Sequence, residues 1–262
     1  MKEIPILLYN NIGHYTAEMM EDGLSAEAFA FQMRFLADNG YGVVTLDQAV
    51  AHLMGEIKLP PKSIAITIDG GYNDAFTNAL PVLRKHNFPA TFFIIPEFIG
   101  STQVLYGGTI QSMSWRAVEE LYQSGYELGI LTYEGQRISE QDDVDAMRQS
   151  ISASLQLLKR SLNARVKYCA FRQGIPGKPL WNYLRSLGFE AVFTQSPTNL
   201  QPWPSGIGRI QIDDEDPNIF LTKISATYLY FKDRPSWKYV RQYKLDHLAH
   251  RISETWSRIK FT

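Results

Sequence analysis

The chain has 262 residues, of which 45% are hydrophobic and 13% aromatic, and it carries a formal net charge of −1. That is ample material for the core of one barrel-sized domain, and the near-neutral balance excludes the basic surface of a nucleic-acid binder. No run reaches the roughly 18 apolar residues of a membrane span, and the single cysteine, Cys169, excludes an internal disulfide and agrees with a reducing compartment. The apolar opening from Ile4 to Tyr9 is too short for a secretory signal and lacks a small-residue cleavage site, so the expected location is the cytoplasm.

Short apolar runs alternate with helical patterns along the chain, as in repeated β–α units around a largely parallel sheet. Ile4 to Tyr9 reads as the first strand. Ser25 to Asn39 is a predicted helix with Phe29, Met33 and Leu36 on one face and a stop at Gly40. Tyr41 to Leu46 is a strand, followed by a short helix from Asp47. Ile64, Ile66 and Ile68 are β-branched residues suited to a buried strand, which Gly70 and Gly71 end, and Asp74 stands before a helix over Ala75 to His86. A strand over Ala90 to Ile95 lies between Pro89 and Pro96, and a helix over Ser114 to Gln123 precedes Gly125. Glu127 to Thr132 is a strand and Gln141 to Leu162 a long amphipathic helix. Strands near Tyr168 to Phe171, Ala191 to Thr194 and Arg209 to Ile212 follow, with a helix at Leu180 to Leu187. The succession over residues 1–225 predicts an α/β fold of the (β/α) barrel type. Residues 226–262 form a helical extension. Val240, Leu245, Leu248, Ile252, Trp256 and Ile259 fall near one face of it, and its remainder is basic. It packs on its own barrel, binds a protein partner or touches an anionic membrane surface.

Asp69 ends a buried strand where a helix is about to begin, and in α/β folds chemistry is done at that edge. Its carboxylate is expected to point into a site, and Asp69→Asn is expected to leave folding intact while altering ligand affinity or turnover. Asn10, at the end of the first strand, either hydrogen-bonds a ligand or caps a turn. The acidic run Asp213 to Asp216 either attracts a cation or forms a turn before Pro217. His247 and His250, spaced i, i+3, either share a metal or face solvent, while His14, His52 and His86 read as isolated. Cys169 reads as an inert buried thiol. The chain has neither a Gly-rich phosphate loop nor a Gly-x-Ser-x-Gly elbow.

The run Ile66-Thr-Ile-Asp-Gly-Gly-Tyr-Asn-Asp, then Leu80-Pro-Val-Leu-Arg and Phe88-Pro-Ala-Thr-Phe-Phe-Ile, resembles the polysaccharide deacetylases of the NodB-homology group, carbohydrate esterase family 4. Met113-Ser-Trp with Ser124-Gly-Tyr-Glu-Leu-Gly129 resembles the next block, and Leu187-Gly-Phe-Glu-Ala-Val-Phe-Thr a later one. The opening Pro5-Ile-Leu-Leu-Tyr-Asn-Asn-Ile is similar to the first strand of the branch acting on poly-N-acetylglucosamine-type chains. The resemblance covers roughly residues 4 to 215 and implies a distorted seven-stranded (β/α) barrel, a carbohydrate ligand and the hydrolysis of N-acetyl groups with a divalent metal such as zinc.

By that resemblance Asp69 takes the place of the general base, but Gly70 stands where the family has a metal-binding aspartate. Leu131 and Gly135 stand where it has two metal-binding histidines. No metal or other cofactor is therefore expected. Arg172 matches the arginine that tethers the catalytic aspartate if Gly177 closes the third motif's loop; if Gly174 closes it, Ala170 takes that place. A pair with Arg172 would depress the pKa of Asp69. Glu134, beside a vacated histidine position, either donates a carboxylate or is solvated. Tyr133, Trp181 and Trp203 are candidates for sugar stacking. The expected protein is a non-classical or inactive deacetylase that binds carbohydrate through Asp69, Arg172, Asn10, Tyr133 and Glu134. The alternative is an active hydrolase that removes N-acetyl groups through a rebuilt site.

Overall fold

The computed structural model describes residues 4–13, 23–105, 108–132, 141–172, 177–195, 206–213 and 216–225. The first turn of chain carries β1 (Ile6–Tyr9), the short pair β2 (Asn11–Ile12) and β3 (Gly23–Leu24), α1 (Ala26–Asp38), β4 (Gly42–Val44), α2 (Leu46–Met54) and β5 (Ser63–Gly70). Then come α3 (Leu80–His86), β6 (Thr91–Ile94), the antiparallel β7 (Thr102–Leu105) and β8 (Gly108–Gln111), α4 (Trp115–Gln123), β9 (Glu127–Thr132) and α5 (Gln141–Leu162). The remainder is β10 (Tyr168–Phe171), α6 (Lys178–Ser186), β11 (Ala191–Thr194), β12 (Ile207–Gly208), β13 (Ile210–Gln211) and α7 (Pro217–Lys223). Contacts divide the chain into two compact units, Met1–Asp213 and Asp214–Thr262.

The first unit is a nearly closed barrel of parallel strands. Its staves run β11, β10, β9, β6, β5, β1 around the ring, with β4 added beside β5. One short segment closes the circle: Ile207 and Gly208 pair with β11, whereas Ile210 and Gln211 pair with β1. Arg209 is the residue between. The strand predicted near Arg209 to Ile212 is β13, whereas β12, which lies just before Arg209 and serves the opposite neighbour, was not predicted.

Side chains alternate across this wall. Tyr9 faces outward, donating its hydroxyl to Gln32 Oε1 of α1 at 2.8 Å and meeting Phe29 edge-on. Ile6, Ala65, Phe93, Leu131, Ala170 and Phe193 face inward and share one apolar cluster with Leu46, Ala49 and Val50 of α2. That helix plugs the end where the strands begin, because β4 pairs only with the first residues of β5 before the chain turns into it. Its start is fixed by a reciprocal capping box between Thr45 and Gln48, one residue ahead of the sequence expectation.

The α1 prediction holds: Ser25 caps the helix by accepting from the Ala28 amide, and Phe29, Met33 and Leu36 are fully buried. The predicted helix over Ala75 to His86 is split into a π-helical turn, Ala75–Ala79, and α3. Pro81 accounts for the break, since it has no amide to donate and its ring crowds the preceding turn. The pairs β2–β3 and β7–β8 were not legible in the sequence. No described helix is long and apolar enough to cross a membrane. In the second unit Asp216 caps α7 by accepting from the Asn218 amide, which is the turn reading of the acidic run; Asp214 and Glu215 lie outside the described residues. So does the basic amphipathic extension.

Around the plugging helix sits a polar cluster. Tyr168 donates to Asp47 Oδ1 at 2.5 Å, Lys167 pairs with the other Asp47 oxygen, and Thr91 donates to Glu127 Oε2 at 2.8 Å. Burial raises the Asp47 pKa, but the bonds from Lys167 and Tyr168 outweigh it and hold the carboxyl below its ordinary value. Burial, reinforced by the Asp47 carboxylate, pushes Glu127 up to about 7. A carboxyl raised from 4.5 in the unfolded chain to about 7 in the folded one binds its proton more tightly when folded, so its stabilisation is complete below pH 4.5 and is lost as pH rises through 7. The melting temperature of the protein is expected to fall by a few degrees between about pH 5 and 8, and Glu127→Gln is expected to flatten that slope in a pH series of thermal melts.

Candidate functional site

The site lies at the carboxyl ends of the strands, around the last residues of β5. Thr67 and Asp69 lie on the same side of that strand, and Asp69 is level with Phe93 of β6. Asp69 is completely buried and is gripped at both oxygens: Arg209 Nη1 donates to Oδ1 at 2.6 Å and Nη2 to Oδ2 at 2.7 Å. Arg209 is also completely buried. Its Nη1 donates to Thr67 Oγ1 at 3.2 Å, its Nε to the Thr194 carbonyl at 3.4 Å, and its guanidinium carbon stands 5.0 Å from the centre of the Phe93 ring. Thr67 in turn donates to the Leu7 carbonyl at 2.7 Å. Fork-to-fork geometry of this kind is the strongest form of a charged hydrogen bond.

Arg209 is thus the arginine that holds Asp69, a role the sequence reading offered to Arg172. The signal was present but incomplete. A charged residue between Ile207 and Ile210 demands a buried partner, yet nothing in the sequence says which carboxylate, 140 positions away, supplies it. Arg172 follows β10 and makes a long, 3.5 Å contact from Nη2 to the Tyr72 hydroxyl. Because Asp69 is half of a buried pair, the expectation that Asp69→Asn leaves folding intact is revised: that change strands the Arg209 charge.

After Asp69 the backbone turns through Gly70 and Gly71, with φ of +105° and +71°. Both values lie where side chains are strained. A Cβ on Gly70 would stand 2.2 Å from Tyr72 Cε2 and 2.8 Å from its Cζ, so the ring fills the space in which any side chain at position 70 would begin. Tyr72 is buried, bridged through its backbone to Ser112, while the Met113 amide donates to the Gly71 carbonyl. Asp74 fixes the next turn, accepting from the Ala75 amide at 2.6 Å and from the Ile12 amide at 2.5 Å.

These residues do not fit a divalent metal. Gly70 has no donor, Leu131 is an inward-facing member of the apolar cluster, and Gly135 lies outside the described residues. Among the described residues no group of three His, Cys, Asp or Glu side chains is placed to hold an ion. His52 accepts from the Leu59 amide at 3.1 Å and His86 stacks on Phe88, both structural roles; His14, His247 and His250 lie outside the described residues. Cys169 is a buried thiol within β10 and forms no disulfide.

Asn10 directly follows Tyr9 of β1, whose partner in β5 is Ile68, the residue before Asp69. It is 2% exposed. Tyr133, Glu134 and Trp203 fall outside the described residues. Trp181 is corrected: only 2% exposed and a member of the buried face of α6, it presents no surface for a sugar.

Comparison with known proteins agrees with this geometry. The family profile described as polysaccharide deacetylase matches residues 56–192, more than half of the chain. YxkH of Bacillus subtilis, a polysaccharide deacetylase by name, is 31% identical over 116 residues, which span 44% of this chain and 40% of that protein. The poly-β-1,6-N-acetyl-D-glucosamine N-deacetylase of Staphylococcus epidermidis is 28% identical over 108 residues, spanning 41% of this chain and 36% of that one. In both cases the match covers well under half of the relative's length. The solved structure of IcaB from Ammonifex degensii superposes with a TM-score of 0.71 at 24% identity, covering 84% of this chain and 95% of that one. It establishes the distorted (β/α)7 barrel.

Two outcomes test the geometry of the site. Arg209→Ala leaves the buried Asp69 charge unpaired and is expected to cost about 3–5 kcal/mol in urea unfolding, whereas Arg209→Met combined with Asp69→Leu is expected to recover much of that loss. Gly70→Ala is expected to lower the melting temperature sharply, and adding Tyr72→Ala is expected to restore the steric part of the loss but not the part due to φ.

Proposed function

The chain belongs to the polysaccharide deacetylase family, and we propose that it is a member that binds carbohydrate without the family's metal-dependent removal of N-acetyl groups. The observation that carries this reading is the Tyr72 ring lying where a side chain at position 70 would begin. The metal-binding carboxylate is not merely missing, because its space is filled and its backbone has taken a conformation that favours glycine. Leu131 removes a second donor and belongs to the core. Without a Lewis acid, attack of water on an amide loses several kcal/mol of transition-state stabilisation.

What remains is a buried polar cluster at the carboxyl ends of the strands, the usual place for ligand recognition in this class of fold. The Tyr72 hydroxyl and Asn10 are the groups proposed to meet a ligand there, with the Asp69–Arg209 pair as their rigid support. The relatives named for poly-β-1,6-N-acetyl-D-glucosamine make that polymer the proposed ligand, and a role beside exopolysaccharide assembly the proposed setting.

The test is calorimetric titration with a β-1,6-linked N-acetylglucosamine pentasaccharide, with and without EDTA, followed by an acetate assay of the same mixture with added zinc or cobalt. Binding that EDTA leaves unchanged and no acetate release are expected. One tightly held ion per chain together with acetate release would instead establish a rebuilt hydrolase.

A further inference from the structure

We propose that Asn10 is the sugar-reading group of this site and holds two adjacent hydroxyls of a neutral sugar, an inference that rests on the carbohydrate-binding reading above. The placement comes from the sheet. Tyr9 points outward to α1, and Asn10 follows it just as Asp69 follows Tyr9's partner Ile68 on β5, so strand alternation continued by one residue turns Asn10 toward the same interior as Asp69. At 2% exposure both polar atoms of its carboxamide, Oδ1 and Nδ2, lack a hydrogen-bond partner among the described residues. Leaving such a group buried and unpaired is costly, and folded proteins keep few of them. An apolar residue at this position would avoid the cost, so the unpaired amide points to a ligand as its partner.

The chemistry of the surroundings narrows what that is. Both Asp69 oxygens are already held by Arg209, so this carboxylate offers no unmatched negative charge to a cationic amino sugar. A carboxamide presents one acceptor and one donor side by side in a plane. Two hydroxyls on neighbouring ring carbons complement it, one donating to Oδ1 while the other accepts from Nδ2. The acetamido group cannot close the same ring, because the N–H and C=O of a trans amide point in opposite directions. In a β-1,6-linked N-acetylglucosamine chain every unit has free hydroxyls at C3 and C4. In a β-1,4-linked chain the C4 oxygen is consumed by the linkage, and only the non-reducing end keeps the pair.

Asn10→Leu tests the assignment, since leucine has a similar branched shape and no polar atoms. Titration of wild type and variant with the β-1,6-linked pentasaccharide, alongside thermal melts of both, is expected to show affinity at least ten-fold weaker in the variant with an unchanged or higher melting temperature. The wild type is expected to bind the β-1,4-linked pentasaccharide several-fold more weakly than the β-1,6-linked one. Undiminished binding by the variant would overturn the role of Asn10 while leaving the carbohydrate reading in place. A lowered melting temperature would make Asn10 a structural residue and overturn it as well. Equal wild-type affinity for the two linkages would overturn the adjacent-hydroxyl assignment. Wild type that binds neither sugar would remove the carbohydrate reading and this inference together.

Discussion

The bidentate pair between Arg209 and Asp69 is the interaction on which the barrel and its site both depend. Arg209 is the single residue between the two half-strands that close the ring, one paired with β11 and the other with β1. Its side chain crosses the interior to a carboxylate at the end of β5, on the other side of β1. Taking two charges out of water costs several kcal/mol each, and only good geometry with further hydrogen bonds offsets it. Here the offset comes from two short bonds to Asp69, one to Thr67, one to the Thr194 carbonyl and the face of Phe93. Closure of the fold and orientation of Asp69 are therefore one event.

That coupling separates the duties of two neighbouring positions. Asp69 serves the barrel through its bond to Arg209, independently of any ligand. Gly70 carries no such duty. Once it is glycine, its backbone is free to take a positive φ, and the Tyr72 ring packs against it with its hydroxyl toward Arg172. The space beside position 70 is thus a matter of packing between Gly70 and the Tyr72 ring. A single restored carboxylate would meet a ring and a strained backbone.

At the opposite end the plug formed by α2 is held by charge. Asp47, Lys167 and Tyr168 join the helix to the start of β10, while Glu127 and Thr91 join β9 to β6 beneath it. A carboxyl held below its ordinary range and another raised toward neutrality sit within one cluster, because one has gained a cation and the other has gained burial and a negative neighbour. The two ends of the barrel therefore use ion pairs differently: a fully matched, dry pair orients the site, and a partly exposed cluster closes the base.

The sequence by itself determined the strands and helices whose patterns are local. The isoleucines of β5, the Phe29–Met33–Leu36 face of α1, the bounds of β9, α5, β10 and β11, and the place of Asp69 at a strand end follow from residue type and period alone. It also determined the absence of metal donors at positions 70 and 131, since an absent side chain needs no structure to be read. Only the tertiary structure decided the rest: Arg209 rather than Arg172 on Asp69, the closing of the ring by β12 and β13 on opposite neighbours, the Tyr72 ring over Gly70, the burial of Trp181, and an amide of Asn10 that is unpaired among the described residues. Local patterns encode which face of an element is apolar. They do not encode which distant group a buried charge will meet, and that meeting is what this site is made of.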